Sequence, residues 1–368
     1  MPEKASTHSS RSASRNGPAP DREYAMKVSA AILLIVTATL ATSSGYAASI
    51  VIKSGNVVGS PAVGDMAHHI LQTQYDFAKL IAIETDGEVE LQILEGKRED
   101  IPVFRMPAMV QEGSVIQATA VPSFFLPKVS GTKIFEIPYL FRDRDQARKY
   151  PESKLAAAFS SQIETAYNVK VLGHFLVAHS VSITSTDKPI VLPEDFAGRY
   201  VNDDFESFAP MWENVRPAKR YSIGYSEAAA GALHNEKQLD TSIGMLQNNI
   251  GQKQYTKFHY ATIAPSFYTF FYTFVVNREV WEGLSDAQRS GIVRAARAAE
   301  RLAFVNEEAT ASYHAAMNEA LGVSGHMQTT HERDAWMKEF SGKVRDGILR
   351  KSEDADELRS YIRQIEEL

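Results

Sequence analysis

"HHILQTQYDFAKLIAIETDGEVELQILE" (68–95) holds a helix, a stop and a strand in succession. Ile70, Phe77, Leu80, Ile81 and Ile83 recur broadly along one helical face, and Asp86-Gly87 supplies the stop. "EVELQILE" (88–95) then alternates as a half-buried strand does. Just upstream, "SIVIKSGNVV" (49–58) is β-branched and alternating, a strand in its own right. Strand, helix and strand in this order pair their strands in parallel, which sets the class as α/β.

The same alternation continues downstream. "MVQEGSVIQATAVPSFF" (109–125) reads as helix, short strand and loop, and "IFEIPYLFRDRDQARKY" (134–150) as an apolar turn at Pro138 followed by a charged helix. "VKVLGHFLVAHSVSITST" (169–186) reads as two strands and as the place where the chain crosses to a second domain. "SEAAAGAL" (226–233) is helical. "FHYATIAPSFYTFFYTFVVN" (258–277) is strand-prone and aromatic, with breaks expected at Pro265 and Asn277. Ser285 with Gln288 forms a capping box. It opens a helical stretch that runs to Leu321 and stops at Gly322; Gly291 weakens the expectation that this helix is unbroken. Trp336, Phe340, Val344 and Ile348 then mark an amphipathic helix, followed by a charged helical tail.

Bulk properties narrow the function. The 368 residues are enough for two domains, and 44% apolar with 23% charged residues is ordinary for a globular protein. A net charge of −6 without a basic block argues against nucleic acid as a partner. Without cysteine there is no disulfide, thiolate metal site or cysteine nucleophile. Residues 1–25 are polar and read as a disordered or artefactual extension. From Met26, "MKVSAAILLIVTATLATSSGYAAS" has one lysine, an apolar run from Val28 to Leu40 and small residues at its end, as a secretory signal peptide does. A membrane anchor is the alternative, although the run is shorter than the roughly 20 apolar residues of a span. The mature chain is expected to begin at Ala48 or Ser49, in the periplasm.

Catalytic patterns do not assemble. Gly96-Lys97 lacks the rest of a phosphate loop, and no G-x-S-x-G elbow or paired-histidine zinc helix occurs. His68 and His69 are adjacent and point about 100° apart on a helix, so they read as rim histidines rather than chelators. Asn202-Asp203-Asp204 offers hard oxygen ligands without calcium-loop spacing, which leaves a cation role and a solvated or ligand-contacting turn both open. The expectation is no enzyme, no metal and no cofactor.

Four stretches in order carry a resemblance. "FAKLIAIETDGEVELQI" (77–93), "KIFEIPYLFRDRDQARKY" (133–150), "STDKPIVLPEDFAGRYV" (185–201) and "YTFVVNREVWEGLSDAQRSGIVRAARAA" (272–299) resemble the DctP-type periplasmic solute-binding proteins of TRAP (tripartite ATP-independent periplasmic) transporters. The resemblance implies a two-lobed periplasmic-binding-protein-like α/β fold with a hinge cleft and a long helix spanning both domains. The implied division is 26–48 signal peptide, 49–177 and 264–305 domain I, and 178–263 and 306–368 domain II with the C-terminal helices. It also implies a small-molecule solute and TRAP permease membrane subunits as partners, with the receptor a monomer or homodimer. A secreted or periplasmic enzyme or sensor component that kept the fold and lost transport is the alternative.

The chain departs from the family where the ligand is held. After "PEDFAG" the clamp arginine's place falls on Asn202, an earlier arginine's on Val181, and a ligand-facing asparagine's on Gly244; Asp240 matches. Arg199, an odd offset from Asn202, reads as solvent-exposed. A buried carboxylate without its cation loses roughly 3–5 kcal/mol. The resemblance therefore implies a polar solute other than a simple monocarboxylate. The candidate ligand residues are Asn202, Asp203, Ser123, Phe141, Tyr268, Tyr272, Asp240 and His69, with core packing an open alternative for the aromatics.

Overall fold

The structure, a computed structural model, describes residues 49–55, 68–94, 105–123, 126–203, 208–223, 231–233 and 235–368. The signal-like run at 26–48 and most of "SEAAAGAL" lie outside them. In chain order, β1 (Ile50–Gly55), α1 (His68–Glu84) and β2 (Val89–Ile93) form the first unit. Asp86 and Gly87 both take positive φ at its turn, as the stop required. β1 and β2 pair in parallel, Ile50 opposite Val89. Next come α2 (Met106–Glu112), β3 (Ala118–Pro122), α3 (Arg144–Lys149) and α4 (Lys154–Tyr167).

"VKVLGHFLVAHSVSITST" is not two strands. It is one, β4 (Val169–Ser185), and its partner β8 (Tyr260–Asn277) is equally unbroken. Between them lie β5 (Tyr200–Asn202), α5 (Ala209–Val215), β6 (Lys219–Tyr221), β7 (Thr241–Gly244) and α6 (Leu246–Gly251). β4 and β8 run antiparallel from Val169↔Asn277 to Ser185↔Tyr260. The register shifts between Val171 and Gly173, between Leu176 and Ala178, and most widely in the middle, where Ala178 faces Phe270 and Ser180 faces Pro265. The surplus of β8 is taken up as a bulge with Ser266 at φ 61. Pro265 therefore marks a bulge and not a break, because a bulge tolerates a missing N–H without ending the ladder.

The sheet order is β2-β1-β3-β8-β4-β7-β5-β6, with β9 (Ser324–Met327) on the free side of β8. The first lobe hangs on the 270–277 half of β8 through β3, and the second on the 180–185 half of β4 through β7. The two lobes share one sheet, and Ser49–Leu368 is one compact unit.

After a short α7 (Arg278–Glu282) comes α8 (Asp286–Ala320), 35 residues or about 52 Å, opened by the Ser285–Gln288 capping box. It lies on α1 in the first lobe and on α6 in the second, where Asn249 donates to Asn318. It is unbroken at Gly291. A Cβ there would stand 2.4 Å from the Glu84 carbonyl oxygen, so this glycine admits α1 rather than interrupting the helix. Phe135, Phe141, Tyr150, Phe159 and Phe271 form one aromatic cluster, and Phe196, Phe208, Phe267 and Trp336 a second. α9 (Thr330–Trp336) continues through a wide π turn, whose Phe340 packs on Trp336, into α10 (Gly342–Lys351), which buries Val344. α11 (Ala355–Glu366) then returns to the first lobe, Tyr361 against Phe159.

The Gly291→Ala variant is expected to lose about 1–3 kcal/mol by overpacking against α1. Gly325→Ala, where an added Cβ meets nothing within 4 Å, is the control. Thermal melts of the two variants check this.

Candidate functional site

β1, β2 and β3 run parallel to the first half of β4, and β5, β6 and β7 run against its second half. Both sets thus aim their carboxyl ends at the crossing in the middle of β4 and β8. Ligands in open α/β sheets sit at such ends. A mostly apolar cavity of about 200 Å³ opens there under α8. Val177, Ala178, Ser180 and Val181 of β4 and Ile263 of β8 form its floor. Met245 to Gln247, Met327, and Glu307, Thr310, Ala311, Ser312 and Ala315 of α8 complete it. None of these described lining residues is cationic. A second, more polar hollow of about 450 Å³ lies at the other end of β5, lined by Asp187, Glu194, Asp195, Arg199 and Asp240 among others.

The crossing is stapled by one histidine. His179 Nδ1 lies 3.1 Å from Thr269 Oγ1 and Nε2 3.1 Å from Ser266 Oγ, so the ring spans the bulge. Its backbone N–H donates to Glu307 Oε1 at 3.2 Å, and Glu307 also pairs with Arg144 from the first lobe. Burial, then the Arg144 charge, pushes the His179 pKa down to about 4. In the first lobe His174 is held between Ser160 at 2.9 Å and Thr273 at 3.0 Å, and burial pushes it to about 4 as well. Tyr139, at φ 57, ties the lobes: its N–H donates to the Phe267 carbonyl and its hydroxyl to Gln328 at 3.1 Å.

The residues singled out from sequence do not gather at one point. Asn202 ends β5, 1% exposed. Its amide donates to the Ile223 carbonyl at 3.3 Å and to Ser242 Oγ, and its oxygen accepts from Ile223 N–H at 2.8 Å. Asp203 is buried against Arg220 at 2.8 Å and Trp212 Nε1 at 2.7 Å. Asp204 lies outside the described residues. Among the described residues no group of three His, Asp or Glu side chains is placed to hold a metal. Ser123 donates to the Phe271 carbonyl, 2.9 Å, beside Thr273. Phe141 is fully buried between Phe135, Tyr150 and Phe271. Tyr268, also buried, meets Phe208 and Phe270. Tyr272 is partly buried, opposite Pro122 and Phe175. Asp240 stands at the far end of β7, accepting from Tyr200 N–H and Thr241 Oγ1. His69 is in the first turn of α1, its side chain outside the described residues.

Arg199 is a correction. It is buried rather than solvent-exposed, 2.6 Å from Asp187 and bonded to the Asp195 carbonyl. A charge this far from water needs its partner, and it lies at the end of β5 remote from the crossing. His179, Glu307 and Arg144 carry no local signature in the sequence, because their meeting depends on tertiary contact alone.

The family model described as bacterial extracellular solute-binding protein, family 7 (DctP), matches residues 64–207. The C4-dicarboxylate-binding periplasmic protein DctP of Rhodobacter capsulatus is 23% identical over 266 residues, 71% of this chain and 77% of that one. A TRAP periplasmic solute-binding protein of Ralstonia eutropha, solved with bound (S)-2-acetolactate, superposes with TM-score 0.68 at 20% identity, covering 86% of this chain and 99% of that one. Another, from Ochrobactrum anthropi with its C-terminus bound in the ligand pocket, gives 0.72 at 16% identity, covering 87% and 96%. The structural likenesses carry the fold, and the resemblance to DctP-type solute-binding proteins read from the four stretches is borne out. Among the described residues no helix is long and apolar enough to cross a membrane.

The buried neutral histidines predict acid sensitivity. With native pKa values of about 4 against 6.5 unfolded, protons bind the unfolded chain first as pH falls. Stability is full above about 6.5 and is lost between there and 4, by about 3 kcal/mol per histidine. Urea midpoints across pH 4 to 8 check this, with His174→Asn expected to flatten the slope.

Proposed function

We propose that this chain is an extracytoplasmic receptor that captures a small polar organic solute between its lobes and delivers it to a TRAP-type permease. The observation that carries this reading is the convergence of strand ends from both lobes on a cavity at the crossing, in a chain that matches the DctP model over 64–207. We place the lobes at 49–177 with 264–305, and 178–263 with 306–368, the last helix α11 packing back on the first lobe. The signal-like segment puts the receptor in the periplasm.

The solute is not held by a carboxylate–guanidinium pair. In support, Arg199 is committed to Asp187 at the wrong end of β5, Asn202 is committed to Ile223, and the described cavity lining has no cation. The R. capsulatus relative is named for C4-dicarboxylates; here such a ligand would lack the partner worth about 3–5 kcal/mol, or about 200- to 5,000-fold in affinity. No nucleophile with its base faces the cavity among the described residues, which supports receptor over enzyme.

Calorimetry should show succinate binding far more weakly than neutral hydroxylated or amide solutes. Val181→Arg, which puts a guanidinium in the cavity wall, should reverse that order if the variant stays folded by circular dichroism. Tight succinate binding by the unaltered protein overturns the clamp-free reading. Small-angle scattering with a saturating ligand should show compaction, since the lobes meet at a hinge; unchanged curves count against capture between the lobes.

A further inference from the structure

Gln247 follows Met245 and Leu246 at the start of α6, and all three line the cavity at the crossing. Its Nε2 donates to Met245 Sδ at 3.1 Å. A thioether sulfur only accepts, so this contact turns the amide nitrogen to the sulfur and leaves the oxygen as the group that can face the cavity. Oε1 accepts from no donor among the described residues and keeps access to solvent, whereas the Gln74 amide is both unpaired and sealed. The hydroxyls of Ser180 on β4 and Thr310 on α8, also on the lining, are equally unbonded and open among the described residues.

The rest of the lining decides what this oxygen can meet. Glu307 is the one charged residue of the described lining, and its carboxylate only accepts. Its Oε1 takes the His179 N–H at 3.2 Å and its Oε2 takes Arg144, whose charge balances it. No lysine, arginine or tryptophan, the side chains that only donate, lies on the described lining. The wall therefore carries a surplus of acceptors among hydroxyls that can do either.

We propose that Gln247 is a specificity-determining residue of the cavity, its oxygen accepting a hydroxyl of a small uncharged diol or polyol. This rests on the receptor reading and narrows its solute class to alcohols. An alcohol oxygen donates to Gln247 and still accepts from Ser180 or Thr310. A carboxylate brings only acceptors to a wall already rich in them, and an amide adds a carbonyl that can only accept. An ammonium donates, but Arg144 already cancels the Glu307 charge that would hold it. At about 200 Å³ the cavity is smaller than the roughly 300–1,000 Å³ of sites for drug-sized ligands, and Val181, Leu246 and Ile263 suit a short apolar body.

The test uses the mature chain, with Gln247→Met, close in volume but without the acceptor, and Gln247→Glu, which puts a negative charge at the same place. Calorimetry compares 2,3-butanediol, ethanolamine and succinate, with circular dichroism as the check on folding. The unaltered protein should bind 2,3-butanediol best. Gln247→Met should bind it at least about tenfold more weakly, as the loss of one hydrogen bond predicts. Gln247→Glu should gain at least about tenfold for ethanolamine, because the added carboxylate has no cation set against it. A side chain that only held α6 in place would give no such gain. Equal diol binding by the unaltered protein and Gln247→Met, or no ethanolamine gain in Gln247→Glu, overturns the proposal. So does tighter binding of succinate or ethanolamine than of the diol by the unaltered protein, an outcome that needs no variant and leaves the receptor reading standing. If none of the three binds the unaltered protein, the receptor reading falls as well.

Discussion

The β4–β8 ladder is the member on which everything else hangs. Seventeen and eighteen residues long, the two strands sit at the centre of the sheet and join the β1–β3 group on one side to the β5–β7 group on the other. One register shift falls near an end, between Val171 and Gly173, and the largest irregularity lies between Ala178–Ser180 and Pro265–Phe270. A ladder most strongly interrupted in its middle makes two lobes from one sheet. α8 has nearly the same length and spans the same crossing, so any motion of one lobe against the other must pass both elements.

Around that crossing, polar groups are satisfied by one another. His179 bonds across the bulge with both ring nitrogens, its N–H meets Glu307, and Glu307 meets Arg144. A neutral imidazole suits this place, since a charged one would be buried beside a guanidinium. The crossing is polar yet internally closed, and the cavity beside it is apolar. The arginine and asparagine nearest in sequence to the family's anchors are already engaged in holding the second lobe together.

Most of the architecture was legible. Period-2 and period-3.6 patterns located β1, α1, β2 and α8, and Ser285, Gln288 and Gly322 marked the ends of α8. Two readings failed for one reason. "VKVLGHFLVAHSVSITST" and the stretch around Pro265 look interrupted because local composition shows a proline and changes of period, but a bulge absorbs both without ending the pairing. Gly291 misled similarly: its role is contact with Glu84, which helix propensity does not see. The candidate site was less legible. Asn202 and Asp203 read from sequence as ligand groups, and the structure turns both inward, onto Ile223 and onto Arg220 and Trp212.

By itself the sequence determined the fold class, the parallel first unit and the long helix. These rest on interactions between residues a few positions apart, whose chemistry and spacing survive in a linear text. Only the tertiary structure decided that Arg199 is buried against Asp187, that Asp240 and Asn202 lie at opposite ends of their strands, and that the buried Gln74 amide meets no hydrogen-bond partner among the described residues. Each of these depends on which groups reach a polar atom first once water is excluded. That competition is settled between segments distant in sequence, through strand register and the antiparallel seating of α8 on α1.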